Sequence, residues 1–175
     1  MKEFSISYIE PEDLKTRILQ QDTSFAIIDV RDYDYGSGHI KTPTPQQYHH
    51  IPIDELIQPE RARQLLSDLS LSNNNQNNQN NAKSMDLIFH CFYSQQRGPY
   101  GAQKMSSLLE DLYNNEDDGG DHQQEWNLNG VNVKVLRGGW GLWRTRFYLE
   151  RDSLIVPLES DSSSSSSESE QDDDE

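Results

Sequence analysis

Cysteine and long apolar runs are both scarce in this sequence. Cys91 is the only cysteine among 175 residues, so the chain cannot form an internal disulfide bond. No apolar run approaches the roughly 20 residues that a membrane-spanning helix needs. The first residues also lack the apolar core of a secretory signal. Together these absences predict a cytoplasmic or nuclear location.

Basic side chains are also few. The chain has 15 Lys and Arg residues against 30 Asp and Glu residues, and its formal net charge is −15. A field of that sign repels the phosphates of nucleic acids and anionic lipid headgroups. We therefore expect neither nucleic acid nor a membrane as a partner.

Three polar segments separate or follow the apolar ones. Residues 72–84 are rich in Asn and Gln, residues 114–125 are acidic with a Gly pair, and residues 159–175 contain only Ser, Gln and acidic side chains. Segments with so little apolar surface do not offset the entropy of ordering. We predict one domain over residues 1–158, with a disordered insertion at 72–84, an acidic loop at 114–125 and a disordered tail at 159–175.

Between these segments, strand and helix patterns alternate. Short apolar runs rich in β-branched residues predict buried strands at 25–30, 85–91 and 131–136. Helical spacing predicts helices at 11–19, 53–57, 59–69, from about 98 onward, and 138–149. The alternation predicts an α/β fold whose central parallel sheet is flanked by helices on both faces.

The stretch "HCFYSQQRGP", residues 90–99, combines a thiol, a basic side chain and a helix start. Cys91 follows a predicted strand, and ligands of parallel sheets bind beyond the carboxyl ends of the strands. A helix N-terminus and a nearby guanidinium favour the thiolate form of a cysteine. Successive inward-pointing amides would form an anion site, to which Arg97 adds two parallel donors.

Such a loop could support attack by sulfur on phosphorus. The product would be a thiophosphate on Cys91 that water later hydrolyses. The alternative is a buried structural cysteine beside a surface arginine. A strand before the loop and a helix after it favour the catalytic interpretation.

The loop resembles the His-Cys-x5-Arg-Gly-Pro signature of the cell-cycle dual-specificity phosphatases of rhodanese fold. In size the chain is closer to the small fungal relatives, which include the arsenate reductase of yeast type. "IIDVRDYDYGSGHI", residues 27–40, and "VLRGGWGLW", residues 135–143, resemble two further motifs of the family. The resemblance extends from about residue 5 to 150 and implies a single rhodanese-like domain.

The resemblance also implies roles for the residues of the loop. Cys91 would be the nucleophile and Arg97 the group that binds the oxyanion. The remaining substrate-binding groups would be the backbone amides of Phe92, Tyr93, Ser94, Gln95 and Gln96. Rhodaneses that transfer sulfur typically have a loop one residue shorter. Five intervening residues are associated with phosphate or arsenate.

The chain departs from the cell-cycle phosphatases at two loop positions. Phe92 and Gln96 stand where those enzymes have acidic residues, so no carboxylate within the loop can protonate a leaving oxygen. Asp32 and Asp34 are the alternative candidates for a general acid. Aryl phosphates, whose leaving groups need little protonation, could still react.

Residues outside the loop are assigned to structure. We expect Asp29 and Arg31 to form a supporting ion pair at a strand end, and His90 to orient the loop from behind. No metal site is expected, because His49 and His50 face apart and no third ligand accompanies them. No cofactor is expected either.

Three functions remain open. The first is a phosphatase for phosphotyrosine or a broader set of phosphate monoesters, acting on a phosphorylated protein or a small ester. The second is an arsenate reductase, which would need external glutathione and glutaredoxin because the chain has no second thiol. The third is a non-catalytic anion-binding scaffold.

Overall fold

The computed structural model describes residues 2–69, 71, 84–114 and 126–158. The predicted tail, residues 72–83 of the predicted insertion and residues 115–125 of the predicted acidic loop lie outside the described residues. Among the helices within the described ranges, none has the length and apolar character needed to cross a bilayer.

The described residues form a mixed succession of strands and helices. The strands are β1 (Ile6–Ile9), β2 (Phe25–Asp29), β3 (His39–Ile40), β4 (Tyr48–His50), β5 (Met85–His90), β6 (Val131–Leu136) and β7 (Ile155–Val156). The α-helices are α1 (Pro11–Leu19), α2 (Ile53–Leu56), α3 (Pro59–Asp68), α4 (Arg97–Asn114), α5 (Gly139–Arg146) and α6 (Arg151–Leu154). Two short 3₁₀ helices cover Pro45–Gln47 and Tyr148–Glu150.

Five of the strands form one parallel sheet in the order β1-β6-β5-β2-β4. Strand β5, which leads into the Cys91 loop, lies in the centre. Its neighbour β2 pairs with it in a register that places Asp29 opposite His90. The carboxyl ends of β2 and β5 therefore bring two of the predicted supporting residues together, directly behind Cys91.

Helices cover both faces of this sheet, which confirms the predicted architecture. On one face, Leu56, Leu65 and Met105 from α2, α3 and α4 pack with Leu87 and Phe89 of β5. On the other face, Leu14 of α1 and Trp140 of α5 pack with Ile27 of β2 and Ile88 of β5. Alternate residues of one strand enter opposite cores because successive side chains point to opposite faces.

The two edge strands, β1 and β4, are absent from the sequence-based prediction. Ser7 interrupts the apolar residues of β1, and two of the three β4 residues are histidines, so neither segment has a continuous apolar run. Their pairing with β6 and β2 defines them as strands. The predicted helix at 138–149 ends earlier, at Arg146, and continues after a break as a 3₁₀ turn.

Candidate functional site

The loop between β5 and α4 closes on itself. Cys91 follows the last residue of β5, residues 92–96 form successive bends, and α4 begins at Arg97. A β-carbon at Gly98 would lie 3.3 Å from the Cys91 amide nitrogen and 3.3 Å from the Ser94 hydroxyl oxygen. The two ends of the loop are thus in contact, and glycine at position 98 permits that close approach.

Helix α5 contacts the loop from the other side. The amide of Trp140 donates to the Cys91 carbonyl at 3.0 Å, and the amide of Gly141 donates to the Phe92 carbonyl at 2.7 Å. These bonds use amides that the first turn of a helix leaves unpaired. Gly139 has φ +57°, and a β-carbon there would lie 2.4 Å from the Cys91 carbonyl oxygen. The start of α5 therefore holds the carbonyl groups of Cys91 and Phe92.

The loop amides have no hydrogen-bond acceptors among the described residues. Within the described ranges, none of the backbone amides of residues 92–97 donates a hydrogen bond to another protein group. Ser94 has φ +52°, which reverses the chain in the middle of the loop. Consecutive amides in alternating right- and left-handed conformations form concave anion sites. This backbone is therefore suited to an oxyanion.

Two buried polar groups belong to the same loop. Cys91 is a free cysteine, and 4% of the residue is exposed. The Ser94 hydroxyl is buried and has no hydrogen-bond partner among the described residues. By contrast Tyr93, Gln95 and Gln96 are exposed. The buried side of the loop therefore carries the side chains of Cys91 and Ser94, and the exposed side carries the larger side chains.

The Arg97 guanidinium is held by the loop that follows β2. Its Nη1 donates to Asp32 Oδ1 at 2.5 Å and to Asp34 Oδ1 at 2.9 Å, and its Nη2 donates to Asp34 Oδ2. The ring centroid of Tyr33 lies 5.3 Å from the guanidinium carbon. The two acidic residues that the sequence marks as candidate proton donors are thus brought to the arginine.

This pairing affects the protonation of Asp34. Burial alone would raise the pKa of Asp34, but the hydrogen bonds and charge of Arg97 outweigh it and hold that pKa below its usual value. The hydrogen bonding to Asp34 in turn raises the pKa of Arg97. Asp34 is therefore a carboxylate at neutral pH and, while it is bound to Arg97, has no proton to give.

Asp29 and Arg31 form a fully buried ion pair behind the loop. Arg31 Nε donates to both carboxylate oxygens of Asp29 at 2.9 Å, and the Tyr48 hydroxyl donates to Asp29 Oδ2 at 2.7 Å. The Arg31 guanidinium carbon also lies 4.8 Å from the ring centroids of Tyr35 and Trp140. These contacts fix the base of the segment that carries Asp32 and Asp34.

His90 connects this ion pair to the loop. Its Nδ1 lies 3.2 Å from the Cys91 carbonyl oxygen, and its Nε2 lies 3.6 Å from Asp29 Oδ2. Burial lowers the pKa of His90 and outweighs the effect of the Asp29 carboxylate, which raises it. For Asp29, burial raises the pKa, but His90 and Arg31 outweigh it, and the pKa falls to about 2. His90 is therefore neutral at neutral pH and Asp29 is charged.

The neighbouring residues His49 and His50 contact different backbone carbonyls. His49 Nε2 lies 2.9 Å from the Gln46 carbonyl oxygen, and His50 Nε2 lies 2.8 Å from the Arg31 carbonyl oxygen. Across the part of the chain that the structure describes, no three His, Cys, Asp or Glu side chains are arranged to hold a metal ion.

Sequence reasoning did not identify several contributors to the site. Tyr48 gives no signal because its strand has no apolar pattern. Tyr33 looks like an ordinary loop residue. Gly139, Trp140 and Gly141 belong to a motif that the sequence does display, but their backbone contacts to the loop depend on a neighbouring strand and become visible only in three dimensions.

Comparison with known proteins identifies the family of this fold. Residues 10–146 match the rhodanese-like domain family. The chain is 30% identical over 145 residues to the dual specificity phosphatase ibp1 of Schizosaccharomyces pombe, covering 82% of this chain and 91% of the relative. It is 27% identical over 151 residues to arsenical-resistance protein 2 of Saccharomyces cerevisiae, covering 86% and 98%.

A solved structure is similar as well. The yeast protein Ygr203w, described as a protein tyrosine phosphatase of the rhodanese family, superposes with a TM-score of 0.61 at 28% identity. The match covers 86% of this chain and 92% of that one. Relatives of this chain are thus named as phosphatases and as an arsenical-resistance protein. With the parallel sheet, the closed Cys91 loop and the profile match over residues 10–146, the chain belongs to the rhodanese-like domain family.

Proposed function

We propose that this protein is a cysteine-dependent phosphatase that hydrolyses phosphate monoesters. The observation that carries the proposal is the closed loop from Cys91 to Arg97, whose amides have no partners within the described protein. A tetrahedral phosphoryl group needs several donors around one point. The loop supplies backbone donors, and Arg97 supplies a guanidinium.

The reaction would proceed in two displacements. The Cys91 thiolate attacks phosphorus, a sulfur–phosphorus bond forms, and the bond from phosphorus to the ester oxygen breaks. A water molecule then attacks phosphorus, the sulfur–phosphorus bond breaks, and inorganic phosphate leaves with the thiolate regenerated. The backbone amides of residues 92–97 and the Arg97 guanidinium stabilise the charge on the equatorial oxygens in both steps.

Protonation of the leaving oxygen limits the substrate range. Asp34 bound to Arg97 is a carboxylate, Asp32 accepts a hydrogen bond from the same guanidinium, and Phe92 and Gln96 offer no proton. An aryl oxygen leaves with less need for a proton than an alkyl oxygen. We therefore propose aryl phosphates, including phosphotyrosine in a phosphorylated protein, as the preferred class of substrate.

Arsenate reduction is a second candidate, which the likeness to arsenical-resistance protein 2 favours. Cys91 would attack arsenic(V) with loss of water. Glutathione would then attack the Cys91 sulfur, giving a mixed disulfide while arsenic leaves as arsenite with two more electrons. Glutaredoxin and a second glutathione would restore the thiol. The single cysteine makes these external thiols necessary.

Paired assays of the wild type and Cys91→Ser test both candidates. We expect hydrolysis of para-nitrophenyl phosphate by the wild type and its loss in Cys91→Ser, with equal unfolding midpoints for the two proteins. Hydrolysis that persists in Cys91→Ser overturns the proposal.

Two further results would replace the phosphatase with another function. Arsenite production that requires glutathione and glutaredoxin, without phosphate hydrolysis, identifies the reductase instead. Tungstate binding by the wild type without either turnover identifies an anion-binding scaffold.

A further inference from the structure

The Arg97 guanidinium has five N–H donors, of which three are engaged by carboxylates. Asp34 occupies the end of the fork, where Nη1 and Nη2 point in the same direction. Asp32 accepts from the same Nη1 nitrogen. In a planar guanidinium the Nη1 hydrogen that Asp34 does not use lies on the side of the arginine stem. The remaining donors are the Nε hydrogen and the second hydrogen of Nη2, and neither has an acceptor among the described residues.

These two remaining donors lie side by side. In a planar guanidinium the Nε hydrogen and the inner Nη2 hydrogen form one edge, with the spacing that matches two oxygens of one anion. Asp32 and Asp34 therefore bind the other three donors of the guanidinium. Both donors of the Nε edge have no acceptor among the described residues.

The acids are themselves fixed in place. The Tyr33 amide donates to Asp32 Oδ1 at 2.7 Å, and the Tyr35 amide donates to the Asp32 carbonyl at 3.2 Å. The segment starts at Arg31, whose side chain is locked in the buried pair with Asp29. Both carboxylates therefore project from a rigid turn, while Arg97 has a long and otherwise flexible side chain.

We propose that Asp32 and Asp34 are positioning residues for Arg97: they hold its outer N–H groups so that the Nε edge is presented to the substrate oxyanion. This inference rests on the proposed function of the Cys91 loop. It assigns the pair a role other than proton donation. It also explains how a guanidinium that is only partly buried, with 23% of its side chain exposed, keeps a defined orientation.

If Asp32 and Asp34 compete with the anion for Arg97, their removal changes the anion affinity in the opposite direction. If Arg97 had to leave Asp32 and Asp34 to reach the anion, the carboxylates would compete with the substrate, and their removal would tighten anion binding. If they position the arginine, their removal weakens binding although it removes negative charge from the site. The sign of the change in affinity therefore separates the two roles.

Tungstate, a tetrahedral oxyanion, is the probe, with its dissociation constant measured by calorimetry. We expect Asp34→Ala to weaken tungstate binding about tenfold, because Arg97 loses two of its three anchors. Asp34→Asn keeps one acceptor for Nη1 and should lose less. The matched control is Asp152→Ala, which removes a negative charge from a side chain that is 100% exposed. It should bind like the wild type.

A double-mutant cycle shows that the effect acts through the arginine. In an Arg97→Lys background, Asp34→Ala should change tungstate affinity by less than twofold, because the bidentate edge is already gone. A merely structural role of Asp34 would weaken binding equally in both backgrounds, and that result overturns the inference. Tighter or unchanged binding in Asp34→Ala also overturns it, and Asp34→Asn provides the same test if the alanine variant does not fold.

Tungstate binding and phosphate hydrolysis together distinguish failure of this inference from failure of the proposed function. Tungstate binding that depends on Asp34, without phosphate hydrolysis by the wild type, supports the positioning role and overturns the phosphatase. Hydrolysis that depends on Cys91 but not on Asp34 supports the phosphatase and overturns the positioning role.

Discussion

The backbone amide of Trp140 donates a 3.0 Å hydrogen bond to the carbonyl oxygen of Cys91. The same tryptophan donates from Nε1 to the Ser37 hydroxyl at 2.8 Å, and its ring lies against the Arg31 guanidinium. One residue at the start of α5 therefore joins the cysteine loop to the segment that follows β2. We expect the conformation of the loop to depend on this junction.

The first prediction concerns Gly139, which precedes Trp140. A β-carbon there would overlap the Cys91 carbonyl and lie 2.9 Å from the Ser94 amide nitrogen, at a φ of +57° that side chains rarely adopt. We expect Gly139→Ala to lower the free energy of unfolding by about 2–4 kcal/mol and to abolish tungstate binding. Urea unfolding and calorimetry measure the two effects.

Gly36→Ala provides the control for this substitution. A β-carbon at Gly36 would meet nothing within 4 Å. The Gly36→Ala substitution should therefore leave tungstate affinity unchanged. Wild-type affinity in Gly139→Ala would show that the loop does not depend on its contact with α5.

The second prediction compares two buried serines. The Ser94 hydroxyl has no protein partner among the described residues, whereas the Ser106 hydroxyl donates to the Phe4 carbonyl. Ser106→Ala should lower the free energy of unfolding by about 1 kcal/mol, and Ser94→Ala should leave it unchanged or raise it. Urea titration of both variants provides the measurement.

The two serines should also differ in function. We expect Ser94→Ala to weaken tungstate binding and Ser106→Ala to leave it unaffected, because only Ser94 belongs to the loop. A stability loss in Ser94→Ala as large as that in Ser106→Ala would contradict the unpaired state of its hydroxyl.

The third prediction is a pH dependence of stability that arises from His90. Its pKa is lower in the folded protein than its usual value, so the folded state binds fewer protons than the unfolded state below about pH 6.5. The contribution of His90 to stability is thus complete above pH 6.5 and declines as the pH falls. The facing groups are Asp29, Arg31 and His39. Between pH 6.5 and 5, His90→Gln should reduce the slope of unfolding free energy against pH by up to about 1.4 kcal/mol per unit.

His49 provides the comparison, because burial lowers its pKa as well. His49→Gln should reduce the same slope by a smaller amount, since this histidine is only half-buried. Identical slopes in the wild type and His90→Gln would refute the assignment of a neutral buried imidazole.

The fourth prediction separates stability from binding. Asp86 lies near the start of β5, about 16 Å along the strand from Cys91 at 3.3 Å per residue. It accepts hydrogen bonds from Arg17, Asn132 and Lys134. Asp86→Ala should lower the free energy of unfolding by about 2 kcal/mol because it leaves partly buried donors unpaired. Tungstate affinity of the folded protein should not change, and a loss beyond twofold would show that the two ends of the sheet are coupled.

The sequence predicted α1 at the residues where it lies, and it predicted the three central strands to within a residue at each end. Helix capping and apolar periodicity are local properties, so a short window contains them. The edge strands β1 and β4 lack such a pattern, and their pairing partners lie far away in the chain. That is why they were missed.

The candidate site was likewise only partly predictable from the sequence. Cys91, Arg97 and the glycine and proline that follow all lie within ten consecutive residues. The sequence alone therefore determined the position of the loop and the chemistry proposed for it. Which groups surround that loop was decided by tertiary structure. The parallel sheet brings the ends of β2, β5 and β6 to one edge, so Asp32 and Asp34 reach Arg97 and Trp140 reaches Cys91. No local pattern encodes these contacts, because they arise from segments that lie 49 to 65 residues apart and meet only when the sheet forms.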